Sequence, residues 1–318
     1  MQNQSWQITI IPVETITLNQ NVSDRCLLVA LAHPDDESFG APPVGTILRY
    51  AHEGVAVHYA CATRGEAGSA DAEMLQGFDS LGALRTHELQ CAAQILGLTA
   101  VHFLNYRDSG MENSPDNHDP ASLVQAPLDE VAEKLARLIR QIKPQVVLTF
   151  DASGGYFHPD HIKMYQATTR AFHAAGNEAQ FVHLIDEGLP PYQPQKLYYL
   201  TIPQAFVRLM VNLLPWFGKD PAAFGRNNDL NIKRIAEVEQ QITTTVAVGR
   251  FFAASQQAAD CHASQKAGLP AIPKIVQRWL GRRESFTRVV PPPQPGEPIE
   301  TDLFANVVNL TTGKAGGL

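Results

Sequence analysis

Four short, almost unbroken apolar runs, each followed by a stretch of helical spacing, limit what this chain can fold into more than anything else in it. The runs are Cys26–Ala32 (CLLVALA), Val55–Thr63 (VAVHYACAT), Thr99–Leu104 (TAVHFL) and Gln145–Phe150 (QVVLTF). A strand with one solvated face alternates apolar and polar residues, whereas a strand covered on both faces does not. Helices are expected near Val44–Glu53, Leu81–Leu96 and Leu128–Ile142, the last with Leu128, Val131, Leu135, Leu138, Ile139 and Ile142 along one face. Strand and helix in this alternation predict an α/β fold, a Rossmann-like three-layer sandwich around a mainly parallel sheet.

Beyond Asp151 the pattern loosens. A helix is expected from near His161, a strand over Lys196–Ile202, and one helical region over Asn231–Phe252 with Ile232, Ile235, Val238, Ile242 and Val246 on one face. Trp6–Leu18, rich in β-branched residues, is expected to add a strand outside the main sheet. Pro291–Pro298 should be extended and polyproline-like, and Leu310–Leu318 frayed. The expected organisation is one α/β hydrolase-type domain over residues 1–290, with an added segment around 185–231, then a Pro-rich extension and tail over 291–318. Within the added segment, Ala205–Phe217 reads as a packed core helix; an apolar lid or a dimer surface, and with it a homo-oligomer, is the alternative.

Composition removes several classes. With 318 residues, 44% of them hydrophobic, the chain has ample material for a core. A net charge of -7 without any basic block argues against a nucleic-acid binder. No basic segment followed by an apolar run suggests a signal peptide, and Ala205–Phe217 is too short and too interrupted to span a membrane. The four cysteines (Cys26, Cys61, Cys91 and Cys261) form no CxxC pair. That suits small core residues in a reduced, cytoplasmic compartment and gives no thiolate zinc site.

Two segments carry chemistry. Ala32-His33-Pro34-Asp35-Asp36-Glu37 follows the first apolar run, and Tyr156-Phe157-His158-Pro159-Asp160-His161 follows the fourth. A single His-Pro-Asp triplet is ordinarily a turn whose Asp caps the next helix. In the common strand order 3-2-1-4-5, however, the first and fourth strands are neighbours where the order reverses, and ligands bind beyond that point. The two segments should therefore meet. Two imidazoles and a carboxylate with an open position suit catalytic zinc, with ferrous iron as the alternative. Pro159 before a helical pattern places His158 near the N-cap and His161 one turn on, so both can face one crevice. Neighbouring side chains of an extended HPDD loop point apart, so one Asp can bind metal while the other stays free as a base.

The chain resembles the zinc-dependent deacetylases of the LmbE-like, or PIG-L, family, most closely the bacterial branch of the mycothiol-precursor deacetylase and the mycothiol S-conjugate amidase. The resemblance rests on AHPDDE at Ala32–Glu37, RGEAG at Arg64–Gly68, Arg85-Thr-His-Glu88, YRDSGM at Tyr106–Met111, GGYFHPDH at Gly154–His161 and HASQ at His262–Gln265. It implies zinc held by His33, Asp36 and His161, with Asp35 as general base and His158 polarising or protonating in the tetrahedral step. It further implies Tyr156 at the oxyanion, Arg85 and Asp108 on the glycoside hydroxyls, and Gln265 near the site. The implied reaction removes an acetyl group from an N-acetylglucosamine-containing glycoside. A close rival cleaves another amide, such as a thiol conjugate.

Arg64, Glu66, Arg107 and Asp108 should also lie on the metal's edge of the sheet, where paired donors and acceptors bind sugars; for Arg64 and Arg107 a structural ion pair is an equal reading. His52, His58, His87, His102, His118, His173 and His183 have no metal-like spacing, and an isolated Cys261-His262 pair is weak evidence for metal. A non-catalytic sugar-binding protein on the same fold is the rival from another class, against which Asp35 and His158 both speak. A ferrous oxygenase would need oxygen and a cosubstrate. No GxGxxG follows the first strand, which disfavours a nicotinamide enzyme.

Overall fold

The computed structural model describes residues 13–19, 24–39, 42–202, 204–224, 230–266 and 274–308. Its strands are β1 (Glu14–Thr17), β2 (Cys26–Leu31), β3 (Ala56–Cys61), β4 (Ala100–Phe103), β5 (Val146–Thr149), β6 (Lys196–Thr201), β7 (Thr244–Ala247) and β8 (Arg283–Val290). The helices are α1 (Val44–His52), α2 (Leu81–Leu96), α3 (Leu128–Ile142), α4 (Gly154–Phe157), α5 (Pro159–Ala175), α6 (His183–Asp186), α7 (Gln204–Leu213), α8 (Ile232–Ala236), α9 (Phe252–Cys261) and α10 (Lys274–Leu280).

The strands form one sheet in the order β1-β4-β3-β2-β5-β6-β8-β7. β4, β3, β2, β5 and β6 run parallel, so the four apolar runs take the expected 3-2-1-4 arrangement. Antiparallel strands close both edges: β1 beside β4, and β8 with β7 beside β6. Every residue of β2 is buried, as a central strand covered by helices on both faces requires. α3 presents Val131, Leu135, Leu138 and Ile139 inward, the face read from its periodicity. Ser80 caps α2 by accepting the Ala83 N–H, and Gly97 closes the helix at φ 70°, in the left-handed region glycine tolerates.

Several expectations are corrected. The described part of Trp6–Leu18 does contribute a strand, but β1 joins the main sheet rather than lying outside it. The region Asn231–Phe252 is not one helix. Only α8 is helical at its start; the Thr-rich stretch that follows pairs with β8 as β7, which β-branched residues favour. Ala205–Phe217 is not a packed core helix, because Leu209, Leu213 and Trp216 are 50%, 42% and 87% exposed. Its inward anchors are Val207 and Leu214.

The Pro-rich stretch turns at Pro295–Gly296, and the chain then returns to the sheet. Glu300 bonds Lys196, Tyr198 and Arg288 there, and Leu303 and Phe304 enter the core. Leu310–Leu318 lies outside the described residues. Cys91 and Cys261 are joined as a disulfide, while Cys26 and Cys61 are the small buried thiols the sequence suggested. The four cysteines therefore do not point to a reduced compartment. Among the described residues, no helix is long and apolar enough to cross a membrane.

Candidate metal centre and active site

β2 and β5 are hydrogen-bonded neighbours, with Leu27 opposite Val146, so the segments that leave their carboxyl ends converge. The first is held to the sheet by its backbone. Tyr59 Oη donates to the His33 carbonyl at 2.8 Å, and Thr63 Oγ1 donates to that of Ala32 at 3.1 Å. Asp36 folds the turn back on itself, its Oδ2 accepting the N–H groups of Ala32 at 3.1 Å and His33 at 2.7 Å. The second segment approaches closely at Gly154 (φ 60°), where a Cβ would stand 2.7 Å from that of His161. His158 then caps α5, its Nδ1 accepting the Asp160 N–H at 3.2 Å, with Pro159 in the first turn.

Three side chains face one another across the junction, with Asp36 turning a different oxygen to each ring. His33 Nδ1 lies 3.2 Å from His161 Nε2 and 3.5 Å from Asp36 Oδ2, and His161 Nε2 lies 3.2 Å from Asp36 Oδ1. Tetrahedral zinc with bonds near 2.0–2.1 Å sets its ligand atoms about 3.3 Å apart, so two imidazoles and a carboxylate at these spacings suit it. Hydrogen positions, assigned from the surrounding partners, agree. His161 Nδ1 meets the Gly154 carbonyl at 3.0 Å, and His33 Nε2 meets Asp160 Oδ2 at 3.2 Å and Asp108 Oδ1 at 3.4 Å. Each ring thus has an acceptor for its N–H on one side, leaving a lone pair on the side that faces Asp36.

Two other groupings can be drawn: His33 with His158 and His161, and His33 with Asp108 and Asp160. Both share His33 with the first set. His158 has already committed Nδ1 to a backbone N–H. Asp160 accepts from the Ser109 N–H and hydroxyl, and Asp108 from the N–H groups of Gly110 and Ala67, so these carboxylates support His33 from behind.

The electrostatics are those of a cation site. Burial alone would lower the His33 pKa, but Asp108, Asp160 and Asp36 raise it well above the usual value. Burial would raise Asp36, yet His161 and His33 hold it well below the carboxylate range. His158 stays neutral: burial first, then the neighbouring His33 and His161, hold it well below an ordinary histidine. With Nδ1 accepting, its Nε2 carries the proton.

Asp35 is kept apart from His33, Asp36 and His161. Its φ is 112°, a left-handed value costing about 1–3 kcal/mol for a residue with a side chain. Arg85 Nη2 lies 3.1 Å from Asp35 Oδ2 and 2.6 Å from the Pro34 carbonyl, and Nη1 is 3.0 Å from that of Gly65. Burial pushes the Asp35 pKa up to about 6 against the pull of Arg85. The RGEAG glycines make room for this guanidinium, since a Cβ on Gly65 would come within 1.9 Å of Nη1.

Most expected site residues come together. Tyr156 sits edge-on to His161, its hydroxyl 3.4 Å from Nε2. Asp108 borders His33 directly, and Glu66 lies behind it, accepting the Asp108 N–H at 3.1 Å. Arg85, expected at the glycoside, is 4% exposed and engaged with Asp35. Gln265 bonds the Ser69 carbonyl at 3.2 Å. Arg107 pairs with Asp116 and Asp119, and Arg64 with Glu14, the structural reading of each. At the rim, Arg234 of α8 stacks 3.8 Å from the Phe157 ring centroid and pairs with Glu112.

Sequence reasoning missed two residues beside the site. Glu37 and His262 are fully buried and bonded at 2.6 Å, although 225 positions separate them. The only signals were the last letter of AHPDDE and the first of HASQ.

Residues 28–172 match a family model described as PIG-L: GlcNAc-PI de-N-acetylase. A 1D-myo-inositol 2-acetamido-2-deoxy-alpha-D-glucopyranoside deacetylase of Thermobifida fusca (strain YX) is 34% identical over 302 residues, 89% of this chain and 100% of its own. The enzyme of that name from Streptomyces avermitilis is 34% identical over 307 residues, 91% of this chain and 99% of its own. Among solved structures, the N,N'-diacetylchitobiose deacetylase of Pyrococcus horikoshii, complexed with its inhibitor MPG, superposes with a TM-score of 0.56 at 20% identity. It covers 90% of this chain and 88% of that one, a likeness of fold.

Proposed function

The chain belongs to the PIG-L family, and we propose that it is a metal-dependent hydrolase removing the acetyl group from an N-acetylglucosamine-containing glycoside. One observation carries the reading. Three side chains, with both imidazole tautomers set by outside acceptors, bring ring nitrogens and carboxylate oxygens within 3.2–3.5 Å of one another beside a carboxylate that is not among them. Hydrolysis of an amide needs that division of labour: an activated water, a base to take its proton, and a donor for the charge that develops on oxygen.

His33, Asp36 and His161 would hold the metal, which we take to be zinc, with ferrous iron as the alternative. A bound zinc would supply Lewis acidity and would lower the pKa of the attacking water from 15.7 to about 7. Asp35, held by Arg85, takes the attacking water's proton and returns it to the departing amine nitrogen as the C–N bond breaks. His158, neutral with its proton on Nε2, donates to the oxyanion, and the Tyr156 hydroxyl assists from the same side. Asp108, which borders His33, is the proposed contact for a sugar hydroxyl. Glu66 acts on it from behind, Arg85 acts through Asp35, and Gln265 belongs to the outer rim.

A cytoplasmic location forms part of this proposal, and it has to accommodate the Cys91–Cys261 bond. The exposed face of α7 leaves association with a second copy as a further part.

The test is release of free amine from a panel of N-acetylglucosaminides by zinc-loaded protein, with Asp35→Ala as the blank. Amine appearing only with the intact protein supports deacetylation, and the fastest substrate identifies the aglycone. With metal bound and no amine from any member, the sugar reading is lost. Amides of thiol conjugates would then be tried, and failure there leaves a non-catalytic protein.

A further inference from the structure

We propose that Glu37 and His262 form a positioning pair that holds Asp35 in its working geometry, an inference resting on the assignment of Asp35 as the base. A residue with a side chain stays at φ 112° only where its surroundings over-determine it. The Asp35 N–H donates to Glu37 Oε2 at 2.9 Å, and the Asp35 carbonyl accepts from the N–H groups of Ser38 and Phe39 at 2.8 Å. Glu37 therefore closes the turn, and everything depends on where its carboxylate is fixed.

That carboxylate is fixed from far along the chain. Glu37 Oε1 accepts from the Ser38 hydroxyl and from His262 Nε2, each at 2.6 Å, and neither Glu37 nor His262 is exposed. His262 in turn is held on both sides. Cys261 before it is bonded to Cys91, and Ser264 after it gives its N–H and hydroxyl to Glu88 at 2.8 and 2.7 Å.

Arg85, Glu88 and Cys91 all belong to α2, three residues apart, so they lie along one side of that helix. A single helix thus supports Asp35 twice. It acts directly through the Arg85 guanidinium, and indirectly through the segment at residues 261–264, His262 and Glu37. Packing alone would be served as well by an apolar side chain, without the cost of burying an ionisable pair. A carboxylate with one oxygen on the strained turn and the other on a tethered imidazole defines a position as well as a volume.

Removing the imidazole leaves Glu37 with the Ser38 hydroxyl alone on that oxygen, so the carboxylate can rotate and the Asp35 turn can relax. Metal donors and sugar contacts stay in place. The consequence falls on the proton-transfer step, where small misplacements are expensive.

The experiment uses the zinc-loaded full chain and amine release from methyl 2-acetamido-2-deoxy-α-D-glucopyranoside. His262→Ala should lower kcat by roughly tenfold to a hundredfold, with KM and bound zinc within about twofold of the parent. His262→Gln keeps an N–H donor toward Glu37 and should recover most of the loss. In an Asp35→Ala background His262→Ala should cost nothing further, since the base it positions is gone. Unchanged kcat in His262→Ala overturns the proposal, and so does loss of zinc in proportion to activity or an additive loss in the Asp35→Ala background. If His262→Ala does not fold, Glu37→Gln should show the same loss of kcat at unchanged KM, and full activity there is equally fatal. If the parent itself releases no amine, the assignment of Asp35 fails separately. A crystal structure of the His262 variant then decides the positioning, which is refuted if φ at Asp35 stays near 112°.

Discussion

Asp160 precedes the His161 ring in the chain, yet its carboxylate is directed at His33, with Oδ2 3.2 Å from Nε2. Ser109 holds the same carboxylate through its N–H at 2.9 Å and through its hydroxyl. Asp160 is therefore the outer partner that fixes which His33 nitrogen faces Asp36. Asp160→Asn should weaken zinc binding by roughly 10–100-fold without removing a ligand. A competitive chelator titration measures this, with His33→Ala as the reference for lost binding. Unaltered affinity in Asp160→Asn would mean that the ring is oriented by something else.

Gly65→Ala should be damaging although Gly65 touches neither metal nor base. Its φ of 72° disfavours a side chain, and the new Cβ would meet the Arg85 guanidinium at 1.9 Å. Arg85 would have to withdraw from Asp35. Turnover should fall about tenfold or more, with zinc content retained. Normal turnover in a folded Gly65→Ala protein would show that Arg85 has another way to reach Asp35.

The Cys91–Cys261 bond closes a sequence separation of 170 residues. Restricting so long a loop in the unfolded chain should contribute about 2–4 kcal/mol. Urea unfolding with and without reductant gives the difference, and thiol titration under denaturing conditions should count two thiols before reduction and four after. Coincident unfolding curves in the two states would refute the contribution.

His58 and His102 are stacked side chains of β3 and β4, with Nδ1 of one 2.9 Å from Nε2 of the other. Burial lowers the His58 pKa to about 4, and burial with His58 beside it lowers that of His102 to about 3. Unfolded histidines titrate near 6.5 and so bind protons that the folded pair refuses. The pair's contribution is complete above about pH 6.5 and is lost as pH falls toward about 4 and then 3. His102 also meets Thr15 of β1 at 2.9 Å, so loosening should start at that edge. Stability measured from pH 7 to 4 should fall less steeply in His58→Gln. Parallel curves for variant and parent would clear the pair of any role.

The central sheet and the meeting of the two His-Pro-Asp segments were legible because both depend on local signals. Unbroken apolar runs announce covered parallel strands, and the strand-order rule brings residues after β2 and β5 together. Asn231–Phe252 was misread because apolar residues spaced three and four apart satisfy a helix on paper. Gln240 instead turns its side chain to the Ile202 N–H and to Asp151, and Thr244 pairs opposite Phe286. Nothing local to Cys91 or Cys261 hints at the other. Glu37 and His262 were hidden for the same reason, since their bond exists only once α9 has packed on α2. The exposure of Leu209, Leu213 and Trp216 was equally beyond reach, because an apolar stripe does not say whether anything covers it.

The tether from Cys91 to Cys261 also determines what a break in the chain would do. A protease that cuts the exposed stretch around Leu213 and Trp216 leaves two fragments, one carrying β2 and β5 and the other carrying α9 and β8. The disulfide still joins them, so the nicked molecule migrates as one species until reductant is added. Because His33, Asp36 and His161 all lie on the first fragment, such a nick leaves every proposed metal donor on one piece while the imidazole that steadies Glu37 hangs by a single covalent link.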